Sequence, residues 1–329
     1  MPILSKHTMH SFLSRSALAA AVALPMAATA ADDYPTRPIQ MIISFAAGGG
    51  FDQTSRNFAR AFSEALKQAV APVNIDGAAG SIGLSKLAGA SADGYTIGIT
   101  PAVSLTSEPH RNKGVTYNLD SFRYVCQVFD NIFSIAVPKD SPYKTIGELV
   151  ADAKRNPGKL SYGTSGTGSI PHLAIADIEA ATGVEMTHIP YRGDGPMQLD
   201  LLQGRLTFGG VLPSSFLGQV KAGNLRLLAM LPERRHPAFP DVPTLRESGI
   251  PVVQSSFGGV IVPAQTPPAI VATLEAACEK AVGSPAMQAW AAGASQVLAY
   301  ANGATFAARI KQDSSAKAAT LKRLKLTAE

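Results

Sequence analysis

Two α/β lobes joined by two crossovers is the fold class this chain predicts, and three observations predict it. A strand, a glycine loop and a helix follow one another near residue 45 and again near residue 165. Apolar runs alternate with amphipathic stretches along the chain, the pattern of sheets covered by helices. The chain has 329 residues, and about 300 remain once an N-terminal leader is removed, more than one hydrophobic core usually serves.

The leader is read from residues 1–30. Lys6 and Arg15 precede an apolar stretch from Ala17 to Met26, and small residues at 28–30 precede a cut expected near Ala30. The stretch is too short for a membrane span, and no later segment runs through about 18 apolar residues. No cysteine stands at the cut for a lipid anchor, so export as a free periplasmic protein is expected.

A short apolar run at 39–45 reads as a buried strand ending in Ala46-Ala47-Gly48-Gly49-Gly50. From Asp52 onward Phe58, Phe62, Ala65, Leu66 and Ala69 recur at helical spacing, with Arg56, Arg60, Glu64 and Lys67 between them. A strand at 70–75, a helix at 81–90 and a strand at 95–100 after the Asp93-Gly94 turn follow. This alternation implies a parallel sheet. Apolar runs at 122–129 and 132–137 lead into a helix at 145–155, which Asn156-Pro157-Gly158 must end. The second set of units then begins with a strand at 159–163, a loop from Thr164 to Ser169 and a helix favoured by Pro171. A helix at 196–203, a strand at 206–211, a helix at 216–221 and a strand at 225–230 continue it. A short helix ending at Gly249, a strand at 257–262, a helix from Pro267-Pro268 to Lys280 and a last helix within 303–326 complete the chain. Since the strand-rich units of the second lobe precede Phe257, the chain is expected to cross back there. Lobe 1 is then 31–134 plus 256–329 and lobe 2 is 135–255, with the crossovers as a hinge.

Charge excludes little but favours no nucleic acid. The formal net charge is +5, Lys6 and Arg15 leave with the leader, and the remaining basic residues are scattered. Cys126 and Cys278 are the two cysteines. They form one disulfide in an oxidising compartment, or stay as two buried thiols. His110, His172, His188 and His236 show no metal-ligand spacing, so no metal is expected. Neither glycine loop has G-x-G-x-x-G spacing or a following Lys-Ser or Lys-Thr, which argues against a nucleotide cofactor.

Both loops follow a strand and open a helix, where free backbone N–H groups and the helix dipole favour an anion. If the lobes face each other, two helix N-termini converge on one carboxylate. Three or four charge-assisted bonds of about 1.5–3 kcal/mol each then approach the roughly −8 kcal/mol of a micromolar ligand without a dedicated arginine. Asp52 reads as a cap of the first helix, held by backbone donors or by a cation. His172 either points into the cleft or packs beneath the second loop. Ser104 and Pro213-Ser214, near strand ends, are assigned to an outer ring around the ligand. Gly163-Thr164-Ser165-Gly166-Thr167 comes near a nucleophile elbow, but Thr167 replaces the final glycine.

Several stretches together resemble one family. They are YPTRPI at 34–39, FAAGGGFD at 45–52, DGAAGSIG at 76–83, DGYT at 93–96, NPGKLSYG at 156–163, SGTGS at 165–169 followed by His172-Leu173, PYRG at 190–193 and FPDVPTLRESG at 239–249. Their order and spacing are similar to those of the tripartite tricarboxylate transporter solute-binding proteins, also called the Bug family, over essentially the whole mature chain. The resemblance implies a type II-like periplasmic binding-protein fold. It also implies capture of a small organic carboxylate for membrane permease subunits, without a cofactor and without catalysis. A monomer is expected. In that family the loops matching Phe45, Ala46, Ala47, Gly48, Gly49, Gly50, Phe51 and Asp52, and Thr164, Ser165, Gly166, Thr167, Gly168 and Ser169, hold a ligand carboxylate, largely through backbone groups and ordered water. Ser44, Ala47, Phe51 and Asp194 depart from the usual pattern. Phe51 at the mouth would favour an apolar or aromatic ligand body, and Asp194 in the cleft would disfavour a second carboxylate or recruit an amine. Two rivals remain: a sensor for a signalling receptor, and a periplasmic hydrolase using Ser165 with His172 or His188.

Overall fold

The computed structural model describes residues 34–191 and 193–328; the leader at 1–30 lies outside them. Among these residues the chain runs β1 (Ile39–Ile43), α1 (Gly50–Leu66), β2 (Val70–Asn74), α2 (Ser81–Ala88), β3 (Thr96–Pro101), α3 (Val103–Thr106), α4 (Glu108–Arg111), β4 (Phe122–Asn131) and β5 (Ser134–Pro138). It continues through α5 (Ile146–Arg155), β6 (Ser161–Thr164), α6 (Ile170–Thr182), β7 (Thr187–Pro190), α7 (Asp194–Leu202), β8 (Phe208–Val211), α8 (Leu217–Lys221) and β9 (Leu225–Met230). It ends with β10 (Ser256–Pro263), α9 (Pro268–Gly283), α10 (Pro285–Ala294), β11 (Val297–Asn302) and α11 (Gly303–Arg323).

Two sheets result, ordered β11-β4-β10-β3-β1-β2 and β7-β6-β8-β5-β9. Their strands are apolar runs because both faces are covered. Along β1, Ile39, Met41 and Ile43 pack with Phe58, Phe62 and Leu274, while Ile42 points the other way to Leu84, Leu87 and Phe306. The period of two sorts one strand between two cores. In the second sheet Ile135 and Val137 join Tyr162 and Ile175, and Ala136 faces Met197 and Leu201.

The sheets are mixed rather than parallel. β1 is parallel to β2 and β3, and β6 is parallel to β7 and β8. β10 is antiparallel to β3 and β4, and β5 is antiparallel to β8 and β9. The reversed strands are β10 and β11 in the first sheet and β5 in the second; the chain leaves the first sheet through β4, which runs with β1–β3, and returns through the reversed β10. The expected short helix before Gly249 is a set of turns, with Ser248 N–H donating to Thr244 O and Ile250 N–H to Leu245 O. Cys126 on β4 and Cys278 on α9 form a disulfide, which decides between the two alternatives left open by the sequence.

The two halves also meet along α11. Arg323 and Thr320 reach Asp177 on α6, and Asp177 accepts from Gln254 on the returning segment. Arg234 beyond β9 pairs with Asp130 at the end of β4, which Arg309 of α11 holds at 2.7 Å.

Candidate functional site

The two glycine loops lie at the carboxyl ends of β1 and β6, each ahead of a long helix. In the first loop residues 46–50 are all exposed. Helix α1 starts at Gly50 with Gly49 as N-cap, so Asp52 stands inside the first turn and is not the cap. Its buried carboxylate reaches back to the Gly48 N–H at 3.0 Å and also accepts from Arg56 at 2.9 Å and Asn74 at 2.8 Å. Burial works to raise this carboxyl, but the bonds from Arg56, Gly48 and Asn74 outweigh it and hold it below the ordinary carboxylate range. With Asp52 occupied on all sides, the first-turn N–H groups at Gly50 and Phe51 stay open, as at any helix start. Phe51 is half-buried and sits edge-on between Phe45 at 5.5 Å and Phe129 at 5.8 Å, anchored to the core.

The second loop is more enclosed. Thr164 and Gly168 are buried, Ser165, Gly166 and Ser169 half-buried, and Thr167 exposed. Beneath it Phe208, Tyr162, His188 and His172 stack as a column, with the two imidazoles 4.1 Å apart and nearly parallel. The Gly168 N–H donates to His172 Nδ1 at 2.9 Å, and His188 Nε2 lies 2.8 Å from the Thr164 hydroxyl. His172 therefore packs beneath the loop. Burial, with His188 and Arg111 nearby, pushes its pKa down to about 4, so the ring is neutral and Nδ1 is free to accept. Ser165 bonds to neither imidazole among the described residues, and the hydrolase arrangement is not assembled. The Ser169 hydroxyl, at the N-cap of α6, is buried and has no hydrogen-bond partner among the described residues.

A cross-lobe contact reaches this loop. Arg111 on α4 donates to the Thr167 carbonyl at 3.1 Å and to the buried Glu108 at 2.9 Å. Gly168 has φ +78°, and a Cβ there would lie 2.5 Å from the guanidinium carbon of Arg111. Glycine serves both the left-handed backbone and the close approach.

The expected outer ring is only partly formed. Ser104 is fully buried, and its hydroxyl donates to Ala79 O at 2.7 Å, so it supports the turn before α2 instead of facing a ligand. Its polar type and strand-end position drew the assignment; burial overturns it. Pro213 is buried and Ser214 half-buried. Ser214 and Ser215 line a cavity of about 340 Å³ with Gly50, Gln53 and Thr54 of the other sheet's α1. Asp194, at the start of α7, is half-buried beside Ser215; burial raises its carboxyl and the Ser215 hydroxyl bond partly offsets this. Sequence reasoning missed Arg111, Asn74, Ser215 and Trp290, none of which belongs to a motif. A larger cavity of about 670 Å³ lies at the crossovers, but its Asp130, Arg234 and Arg309 already satisfy one another.

Two mixed sheets joined twice, with open helix starts at the ends of parallel strands in each, define a two-lobed solute-binding protein. The model of the tripartite tricarboxylate transporter family receptor matches residues 54–325, and the chain belongs to this family. A protein encoded in the gbd 5' region of Cupriavidus necator is 37% identical over 279 residues, covering 83% of this chain and 85% of its own. A TctC solute-binding protein from Polaromonas superposes with TM-score 0.78 at 32% identity, over 88% of this chain and 100% of that one. A protein of R. palustris solved with adipate gives 0.77 at 27% identity, over 88% and 98%.

Proposed function

We propose that this protein captures a small organic carboxylate between two lobes, 31–134 plus 256–329 and 135–255, and presents it as a monomer to membrane permease subunits. Capture takes place in the periplasm after cleavage near Ala30, with no covalent chemistry. The carboxylate sits between the open N–H groups at Gly49–Phe51 and those of Ser165 and Thr167, beside the Ser169 hydroxyl; the N–H groups of Gly166, Gly168 and Ser169 already donate to Thr164, His172 and Gly166. The observation that carries this reading is the unpartnered, buried Ser169 hydroxyl at the start of α6. A helix start favours an anion by about 0.3–1 kcal/mol, more when partly buried. The adipate held by the R. palustris relative supports the ligand class.

A thermal-shift screen of the mature protein against mono-, di- and tricarboxylates, aromatic acids and amino acids tests it. An acid present at a hundred times its Kd adds about 2.7 kcal/mol, a rise of several degrees. A ligand-free preparation that no acid shifts would sink the carboxylate reading.

A further inference from the structure

We infer that the far end of the ligand lies in a neutral side pocket against Trp290, so that monocarboxylates with an uncharged aromatic or hydroxylated body are preferred to dicarboxylates. This rests on the carboxylate reading above and adds the substrate class to it.

The pocket is the cavity of about 340 Å³ that begins at Gly50, within the range of small-molecule sites and large enough for one ring. Gly50, Gln53 and Thr54 are spaced i, i+3 and i+4 and share one face of α1. The face that begins at the open helix start therefore runs directly into the pocket. Ser214 and Ser215 close it from the second sheet's side, and Trp290 of α10 and Gln296 close it from the first. A ligand whose carboxylate meets the start of α1 has this space as its next surroundings.

The chemistry of the walls selects the body. Among the described residues that line the pocket, none carries an ionisable side chain. Hydroxyls and amides offer donors and acceptors to neutral groups, and the half-buried Trp290 offers a flat apolar surface. A second carboxylate would lose water there without gaining a cation. Phe51, held back against Phe129, leaves the entrance to the pocket to smaller groups.

Trp290 is the single tryptophan of the chain. Calorimetric titration of the purified protein with acetate, adipate, 3-phenylpropionate and 3-(4-hydroxyphenyl)propionate tests the inference. The aromatic acids are expected to bind at least about tenfold tighter than adipate, an advantage of about 1.4 kcal/mol. Trp290→Ala should remove that advantage while leaving acetate unchanged, and Trp290→Phe should restore most of it. Gln53 is exposed, so Gln53→Lys keeps the fold and supplies a cation; it should narrow or reverse the preference in favour of adipate, and it carries the test if Trp290→Ala does not fold. Adipate binding as tightly as the aromatic acids, or an aromatic affinity untouched by Trp290→Ala, overturns the side pocket alone. Failure of every acid to bind overturns the carboxylate reading and the pocket with it.

Discussion

The loop at 46–50 and the loop at 165–169 stand at equivalent places in their sheets, yet opposite chemistry holds them. The first is exposed and is braced by a charge: Asp52 gathers Gly48, Arg56 and Asn74, all from its own sheet's elements. The second is largely enclosed and is braced by neutral rings, with an arginine from the other half touching its rim. The first loop can keep an ionised brace because the buried Asp52 carboxylate is met by the Arg56 cation, Asn74 and the Gly48 N–H. A loop over a packed column cannot, and neutral imidazole supplies an acceptor without that desolvation cost. The first loop thus depends on its own lobe, whereas the second depends also on how the halves are placed.

This contrast makes acid the most selective way to separate them. The unfolded chain protonates His172 near 6.5, but the folded protein resists until about 4. Between these values the unfolded state binds more protons, so His172's stabilising contribution is complete above 6.5 and is lost as pH falls through the window. The full shift amounts to about 3 kcal/mol. Urea unfolding between pH 7 and pH 4 should show this loss, and His172→Asn, whose Oδ1 can stand in for Nδ1, should reduce the slope by the His172 share, leaving what His188, His236 and the carboxyls raised by burial contribute. An unaltered slope would remove the neutral-ring account of the second loop.

Substitution at Asp52 should cost next most. Asp52→Ala leaves Gly48 N–H, Asn74 and Arg56 without their acceptor, for about 2 kcal/mol, measurable as a lower denaturant midpoint at pH 7. The carboxyl is held below its ordinary range, so its contribution persists above the unfolded carboxyl value and is lost as pH falls through the folded one. The wild-type protein should therefore approach the variant in stability at strongly acid pH. The smallest effect is expected at the rim of the second loop. Gly168→Ala forces a side chain into φ +78° and displaces Arg111, for about 1–2 kcal/mol. Because Arg111→Ala removes the same cross-lobe bond, the double variant should fall short of the sum of the two. Full additivity would show that Arg111 and the loop act independently.

Much of the fold was legible because buried strands announce themselves. Runs such as 39–45 and 257–262 are apolar throughout, and glycine loops mark where helices begin. β7 escaped because it is mostly exposed and carries no apolar run, whereas β11 was passed over despite its apolar Val297-Leu298-Ala299-Tyr300-Ala301 run, which is only partly covered. The mixed direction of the sheets was hidden because direction follows from where β4 and β10 pair, and local pattern does not record it. At the site, backbone positions were readable from glycines, while side chains that arrive from elsewhere were not. Arg111 sits on a four-residue helix too short for periodicity, and Trp290 reaches the cavity from an element far along the chain. Ser104 shows the reverse error, a polar residue near a strand end whose hydroxyl is consumed by a turn.

The bond between Cys126 and Cys278 spans 152 positions, and the entire five-stranded sheet falls inside the span. That sheet is therefore a closed ring, sealed at its base by sulfur. A protease that cuts a loop between β5 and β9 opens the ring without releasing a fragment, so the nicked chain still migrates as one molecule until a reductant is added. Both strands that thread the junction, β4 and β10, stay attached to the larger sheet throughout, and damage to the inserted half remains local.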